Sequence, residues 1–286
     1  MIDPEFFSRL DAMSIQFKRH TLGKYQGEQK TVYAGDGLTF KDFAPYTVGD
    51  DFRRIDWRIF ARTKELFIRR YEEDRNLTIH ILLDASGSMA YGGKGSKFSY
   101  AAMMGLGLAY IAQKRHDRIE LSTFSDKILP LKSQNENINV QTLVKKLNKM
   151  HAKGMTNFED AMKQYHKRVK TKSLLFIFSD VLYPLETLSK LLERYQRSQL
   201  FLVQVLHKDE VELPFKGEMK FVDPENEDNQ IKTYVSKRMR SIYNDSLHEH
   251  VESIKDACKG RKARFIQLDT RDGALASFIK LWNVTQ

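Results

Sequence analysis

The chain has 286 residues, 41% of them hydrophobic and 29% charged, with a net charge of +10 at neutral pH. That length accommodates one large α/β domain with an extension, and the ordinary composition excludes a fibrous, low-complexity or largely disordered protein. The longest apolar runs, such as Leu174 to Phe178 and Leu200 to Val203, have strand length and fall far short of the ~20 residues that a membrane-spanning helix needs.

The positive balance raises nucleic acid as a partner. Its densest groups (Arg53, Arg54, Arg58, Arg62 and Lys64; Lys237, Arg238 and Arg240; Lys259, Arg261, Lys262 and Arg264) are interleaved with acids or lie at helix ends. No nucleic-acid motif accompanies them, so an acidic protein partner is expected instead. The first residues, Met1-Ile2-Asp3-Pro4-Glu5, do not read as a secretory signal. The single cysteine, Cys258, agrees with a reducing compartment and falls on the apolar side of a helix pattern. A cytoplasmic protein without a membrane span is the expectation.

Residues 1–76 read as an N-terminal extension, irregular with some β content. Tyr33-Ala34-Gly35-Asp36-Gly37 and Val48-Gly49-Asp50-Asp51 are turn-like, and Glu65 to Tyr71 has the composition of a strand. Residues 77–286 alternate strand-like and helix-like patterns, which predicts a doubly wound α/β domain, a mainly parallel six-stranded sheet flanked by helices. The strands are expected at Leu77 to Leu83, Arg118 to Ser125, Lys127 to Leu131, Ser173 to Ser179, Leu200 to Leu206 and Arg264 to Leu268. The third follows the second too closely for a crossover and should pair with it as an antiparallel edge. Phe98 to Ala112 is apolar nearly all round, which predicts a buried helix, with Gly105 and Gly107 allowing close backbone approach. Amphipathic helices follow from the spacing of Val140, Leu143, Val144, Leu147 and Met150 and of Leu185, Leu188, Leu191, Leu192 and Tyr195. Further helices are expected over Asn157 to Val169, from Ser236 to Lys259 with Gly260 as the stop, and near Asp272 to Trp282.

The chemistry concentrates where strands end. Asp84-Ala85-Ser86-Gly87-Ser88 follows the first strand of this domain and Asp180 follows the fourth, which ends at Ser179, while Thr156 precedes a helix. In a doubly wound sheet, ligands bind beyond the carboxyl ends of the strands where the strand order reverses. Carboxylates ~4 Å apart there would repel by about 4 kcal/mol at an effective dielectric near 20, a cost that a cation cancels. Asp84, Ser86, Ser88, Thr156 and Asp180 are therefore the candidate metal ligands. Their hard oxygens suit Mg2+, with Mn2+ as the alternative, and no His or Cys joins them to favour zinc. Neutral hydroxyls would leave the ion under-neutralised, so that an Asp or Glu of a partner completes its coordination. No catalytic residue is assigned.

These residues resemble the metal-ion-dependent adhesion site, or MIDAS, of the von Willebrand factor A (VWA) domain, and residues 77–286 match that domain's order of strands, helices and motifs. Asp36-Gly37-Leu38-Thr39-Phe40, the run Tyr46 to Trp57 with Gly49-Asp50-Asp51-Phe52-Arg53-Arg54-Ile55-Asp56-Trp57 inside it, Ala61-Arg62 and Leu66 to Glu73 resemble the signature of the bacterial family called domain of unknown function 58 (DUF58). The resemblance implies a chaperone-like accessory of a MoxR-type AAA+ ATPase, gripping the ATPase or its client through the metal. Many relatives carry membrane helices before the signature; none is read here, which favours a soluble form. Within the signature, Arg53, Arg54, Asp56, Arg58 and Arg62 are expected to form a salt-bridged cluster around Trp57 that fixes the extension against the A domain.

Two enzymatic readings compete. Ser88 to Gly95 lies between a strand and a helix, as a phosphate loop of a Mg2+-dependent nucleotide-binding or phosphoryl-transfer enzyme would, but Ser88 replaces its first glycine and Gly95 its Ser or Thr. Asp84 as a phosphatase nucleophile finds no neighbouring general acid in Ala85 or Ser86. His248-Glu249-His250 lacks the spacing that places two imidazoles on one helix face and reads as solvated surface.

Overall fold

A computed structural model describes residues 5–11, 39–72, 78–115, 117–132, 140–154, 157–169, 173–226 and 228–285. The chain divides into two compact units, one of residues 19–76 and a larger one of residues 1–18 and 77–286.

In the smaller unit, β1 (Thr39–Pro45) pairs antiparallel with β2 (Phe67–Glu72), and helix α2 (Trp57–Thr63) lies between them in sequence. The β content agrees with the expectation; α2 was not anticipated. The turn at Val48 to Asp50 is present, with Gly49 at φ +113. The segment Tyr33 to Gly37 lies outside the described residues. Asp56 explains α2: its Oδ1 accepts from the backbone N–H groups of Arg58 and Ile59, capping the first turn. Its Oδ2 accepts from Arg69 Nε of β2 at 2.7 Å. The expected arginine cluster is thus corrected: the ion partner of Asp56 is Arg69, and Trp57 is exposed. A cap needs the carboxylate turned toward the helix start, and β2 is the element that meets it there.

The larger unit is built on a six-stranded sheet of order β10-β7-β6-β3-β4-β5. Its strands are β3 (Thr78–Asp84), β4 (Arg118–Phe124), β5 (Ile128–Lys132), β6 (Ser173–Ser179), β7 (Gln199–Leu206) and β10 (Ala263–Asp269). Neighbours are parallel except β5, which returns antiparallel along β4 at one edge, as the short connection requires. Alternation at period two divides the side chains between two cores. Ile79, Ile81 and Leu83 of β3, with Phe176 and Phe178 of β6, join one cluster, while Leu82, Leu175 and Ile177 join the other.

The first core is covered by α1 (residues 5–11), α3 (Lys97–Lys114), α4 (Val140–Lys149) and α9 (Ala274–Thr285). Helix α3 is the buried helix expected from sequence. A Cβ at Gly105 would stand 2.9 Å from Leu83 Cδ2, and one at Gly107 only 2.7 Å from the Phe278 ring, so both glycines let the helix approach its neighbours. Phe6 and Leu10 of α1 are buried in this core, and Phe6 meets Phe278 edge-on at 5.8 Å. The opening residues therefore belong with the larger unit, not with a single extension over 1–76, because two large apolar side chains one helical turn apart find their burial there. The second core lies under α5 (Phe158–His166), α6 (Leu185–Arg194) and α8 (Lys237–Cys258). Asn157 and Ser236 cap α5 and α8, and Gly260 follows α8 at φ +71. Cys258 is buried in this core, which pushes its thiol up to about 11.

Between β7 and α8 the chain adds α7 (Lys208–Glu212) and an antiparallel hairpin of β8 (Gly217–Val222) and β9 (Gln230–Val235), elements not anticipated from sequence. Among the described residues, no helix is long and apolar enough to cross a membrane.

Candidate metal centre

The strand order reverses between β3 and β6, and each of these strands delivers a carboxylate beyond its C-terminal end. Asp84 ends β3 and is fully buried. Its Oδ1 accepts from Ser86 N at 2.9 Å; its Oδ2 accepts from the hydroxyls of Ser179 and Tyr183, both at 2.7 Å. Every one of these donors is neutral. Burial, then the nearby charge of Asp180, pushes the Asp84 carboxyl up to about 6, against the pull of the three hydrogen bonds.

The bond from Ser86 N turns the chain sharply after β3 and brings the Ser86 and Ser88 hydroxyl oxygens to 3.0 Å from each other. Lys153 N donates to Ala85 O and Gly87 N to Gly154 O, lacing this loop to residues 153–154. Thr156, the third hydroxyl expected from sequence, lies outside the described residues. Gly87 is needed for a further reason: a Cβ there would meet the carbonyl oxygen of Pro224, in the β8–β9 turn, at 2.4 Å.

Asp180 follows β6 and is 4% exposed. The next residue, Val181, is buried at φ +53, an unfavourable conformation for a β-branched side chain. Hydrogen bonds hold the strained turn from both sides. Gln204 Nε2 donates to Asp180 O at 2.9 Å, and His250 Nε2 lies 2.9 Å from Val181 O. His250 is therefore a correction to the solvated-surface reading of His248-Glu249-His250, since α8 packs one face toward this turn; His248 and Glu249 are exposed. Tyr183 stacks on Phe158 at 4.1 Å while its hydroxyl reaches Asp84, and burial beside the two aspartates holds its pKa well above the usual range.

Sequence reasoning missed Lys97. Its side chain is fully buried, and its Nζ donates to Asp180 Oδ2 at 3.0 Å and to Glu210 Oε1 at 2.6 Å. Burial alone would lower its pKa, but the two carboxylates outweigh that and raise it. Glu210 belongs to a capping box on α7, in which its Oε2 accepts from His207 N. The one signal in the sequence was a lysine at the head of an otherwise apolar helix. Ser179, Tyr183 and Gln204 were missed as well, and of these only Ser179 adjoined a predicted ligand.

Asp84, Ser86, Ser88 and Asp180 are thus brought together at one crevice, joined by hydrogen bonds among themselves and through Ser179. The donor set fits a hard dication. In octahedral Mg2+ coordination at 2.0–2.1 Å, adjacent oxygens are about 3 Å apart, the separation of the Ser86 and Ser88 hydroxyls. A buried carboxylate with only neutral donors is the group that gains most from a nearby cation. Among the described residues no group of three or more His, Cys, Asp or Glu suggests a softer or fully carboxylate site.

The stretch from Ser88 to Lys97 commits four of its N–H groups to internal turns. It folds into consecutive tight turns in which Tyr91 N, Gly95 N, Ser96 N and Lys97 N donate to Ser88 O, Gly92 O, Gly93 O and Tyr91 O. Phosphate loops need such N–H groups directed at the ligand.

Strand order, flanking helices and an Asp-x-Ser-x-Ser turn at the order reversal define a doubly wound α/β domain with a mainly parallel sheet. The chain belongs to the family described as "Protein of unknown function DUF58", whose model matches residues 42–253. It is similar to the Mycobacterium tuberculosis "Uncharacterized protein Rv1480", at 21% identity over 285 residues, covering 97% of this chain and 89% of that protein. Among solved structures it resembles the conserved hypothetical protein BatB from Bacteroides thetaiotaomicron, with TM-score 0.42 and 12% identity over 73% of this chain and 97% of that one. It also resembles the SpRpn10 VWA domain, with TM-score 0.45 and 11% identity over 72% and 94% of the two chains.

Proposed function

We propose that the crevice at the β3 and β6 ends is a divalent-cation site through which the protein captures a carboxylate of a protein partner, without catalysing a reaction. The observation that carries this reading is the 3.0 Å pair of serine hydroxyls beside a buried carboxylate whose hydrogen-bond donors are all neutral. Asp84, Ser86, Ser88 and Asp180, with Thr156 from the segment before α5, would hold the ion. Mg2+ is the expected occupant, with Mn2+ able to replace it. When bound, the ion supplies an open coordination position for an Asp or Glu side chain.

The protein's own groups prepare that position. Tyr183 and Ser179 hold Asp84 in one orientation; Gln204 and His250 fix the turn that carries Asp180. Among the described residues no thiol or paired histidine adjoins the crevice, and its hydroxyls bond to carboxylates or to each other, which offers little for covalent chemistry. Family resemblance points to a MoxR-type AAA+ ATPase or its client as the partner. Capture of the MoxR-type ATPase of the same organism, compared with Mg2+ and with chelator, tests this: retention should need the metal and be lost in Asp84→Ala. Equal retention in chelator, or in the variant, would remove the metal from the mechanism.

A further inference from the structure

The ion pair of Lys97 with Asp180 bears on how the crevice holds a metal, and its meaning rests on the metal-site reading above. Lys97 occupies the first position of α3, an 18-residue helix with no acidic residue in its first turn. A cation there faces the positive end of the helix dipole and has also lost its hydration. A lysine is retained in such a place only if carboxylates hold it, and Asp180 and Glu210 do so at 3.0 and 2.6 Å.

The two carboxylates are not equivalent. Asp180 belongs to the candidate metal set, whereas Glu210 is fixed outside it, one oxygen on His207 N and its main-chain carbonyl accepting from Tyr243 OH. We propose that Lys97 is a built-in competitor of the metal: its ammonium group pairs with Asp180 and must withdraw onto Glu210 for a dication to gain that carboxylate. The ammonium group and a dication repel, so both cannot engage Asp180 at full strength. Lys97 thereby keeps the crevice folded without metal and lowers its metal affinity. Glu210 is the resting place that makes metal entry feasible.

Opposite effects of two variants test this positioning role. Electron paramagnetic resonance titration of the full chain with Mn2+ should show at least tenfold tighter binding in Lys97→Met than in the wild type. Glu210→Gln, which retains a capping-box side chain, should bind several-fold more weakly because the ammonium group loses its alternative anchor. A loss of packing alone would weaken both. If the wild type binds one Mn2+ and Lys97→Met binds it no more tightly, the competitor role is overturned while the metal site stands. Binding by Lys97→Met alone would uphold the competition and overturn metal-dependent capture by the native protein. No binding by either protein overturns both ideas. Should Lys97→Met fail to fold, unchanged Mn2+ affinity in Glu210→Gln overturns the proposal.

Discussion

Asp84 and Asp180 leave neighbouring strands at the same end of the sheet, yet the turns that carry them solve different electrostatic problems. Asp84 is surrounded by an amide and two hydroxyls, all neutral, and its charge is stabilised by hydrogen bonds alone. Asp180 faces a buried ammonium group. The contrast teaches that the crevice is divided into a half served by neutral donors and a half served by a cationic side chain. Burial of an ionised group without a counter-charge is costly, so the Asp84 half is where an added ion gains most.

Asp84→Asn breaks the contrast most strongly. The folded-state pKa of Asp84, about 6, lies above its ordinary value of 3.8. Stability from this group is therefore fully present below pH 3.8 and lost as pH rises through 6, a difference on the order of 3 kcal/mol. In chelator at pH 8, Asp84→Asn should melt at a higher temperature than the wild type. That advantage should shrink as pH falls below 6. Equal melting temperatures across this range would show that the carboxylate is not strained by its surroundings.

Gly87→Ala attacks the serine turn instead. With the Pro224 carbonyl oxygen 2.4 Å from the new methyl group, backbone must move, and destabilisation of about 2 kcal/mol is expected in denaturant unfolding. Tyr183→Phe removes one neutral donor from Asp84 and should cost about 1.5 kcal/mol at pH 8. Its cost should diminish as pH falls below 6, where the carboxyl group is protonated; a pH-independent loss would assign Tyr183 to packing on Phe158. The smallest effect concerns a control site outside both turns. Burial of Cys258 raises its thiol to about 11, so disulfide reagents at pH 8 should label it only after denaturation. Rapid labelling of the native protein would contradict the packing of α8.

Much of this was legible in the sequence. All six strands of the large sheet stand where they were expected, most plainly β3, β6 and β7, which are buried on both faces and therefore rich in Val, Ile, Leu and Phe. The antiparallel return of β5 followed from loop length, and the stop of α8 from Gly260. Asp84, Ser86, Ser88 and Asp180 were recognisable because each lies where a strand gives way to a turn. The β8–β9 hairpin was not, since its strands alternate mixed charged and apolar residues without joining either core. Lys97 was hidden for a different reason. A lysine reads as solvated, and its burial depends on Glu210, 113 positions later, which no local pattern records. Helix α1 was too short to show a period, although Phe6 and Leu10 anchor it in the first core.

The central claim, that hydroxyls and a buried carboxylate at the C-terminal ends of the central strands hold a dication, is tested most directly by calorimetric titration of Mg2+ into the wild type and a Ser86→Ala, Ser88→Ala double variant. The account predicts a single site in the wild type and at least tenfold weaker binding in the variant, with circular dichroism unchanged. Absence of binding to the wild type, or equal affinity in the two proteins, would contradict it.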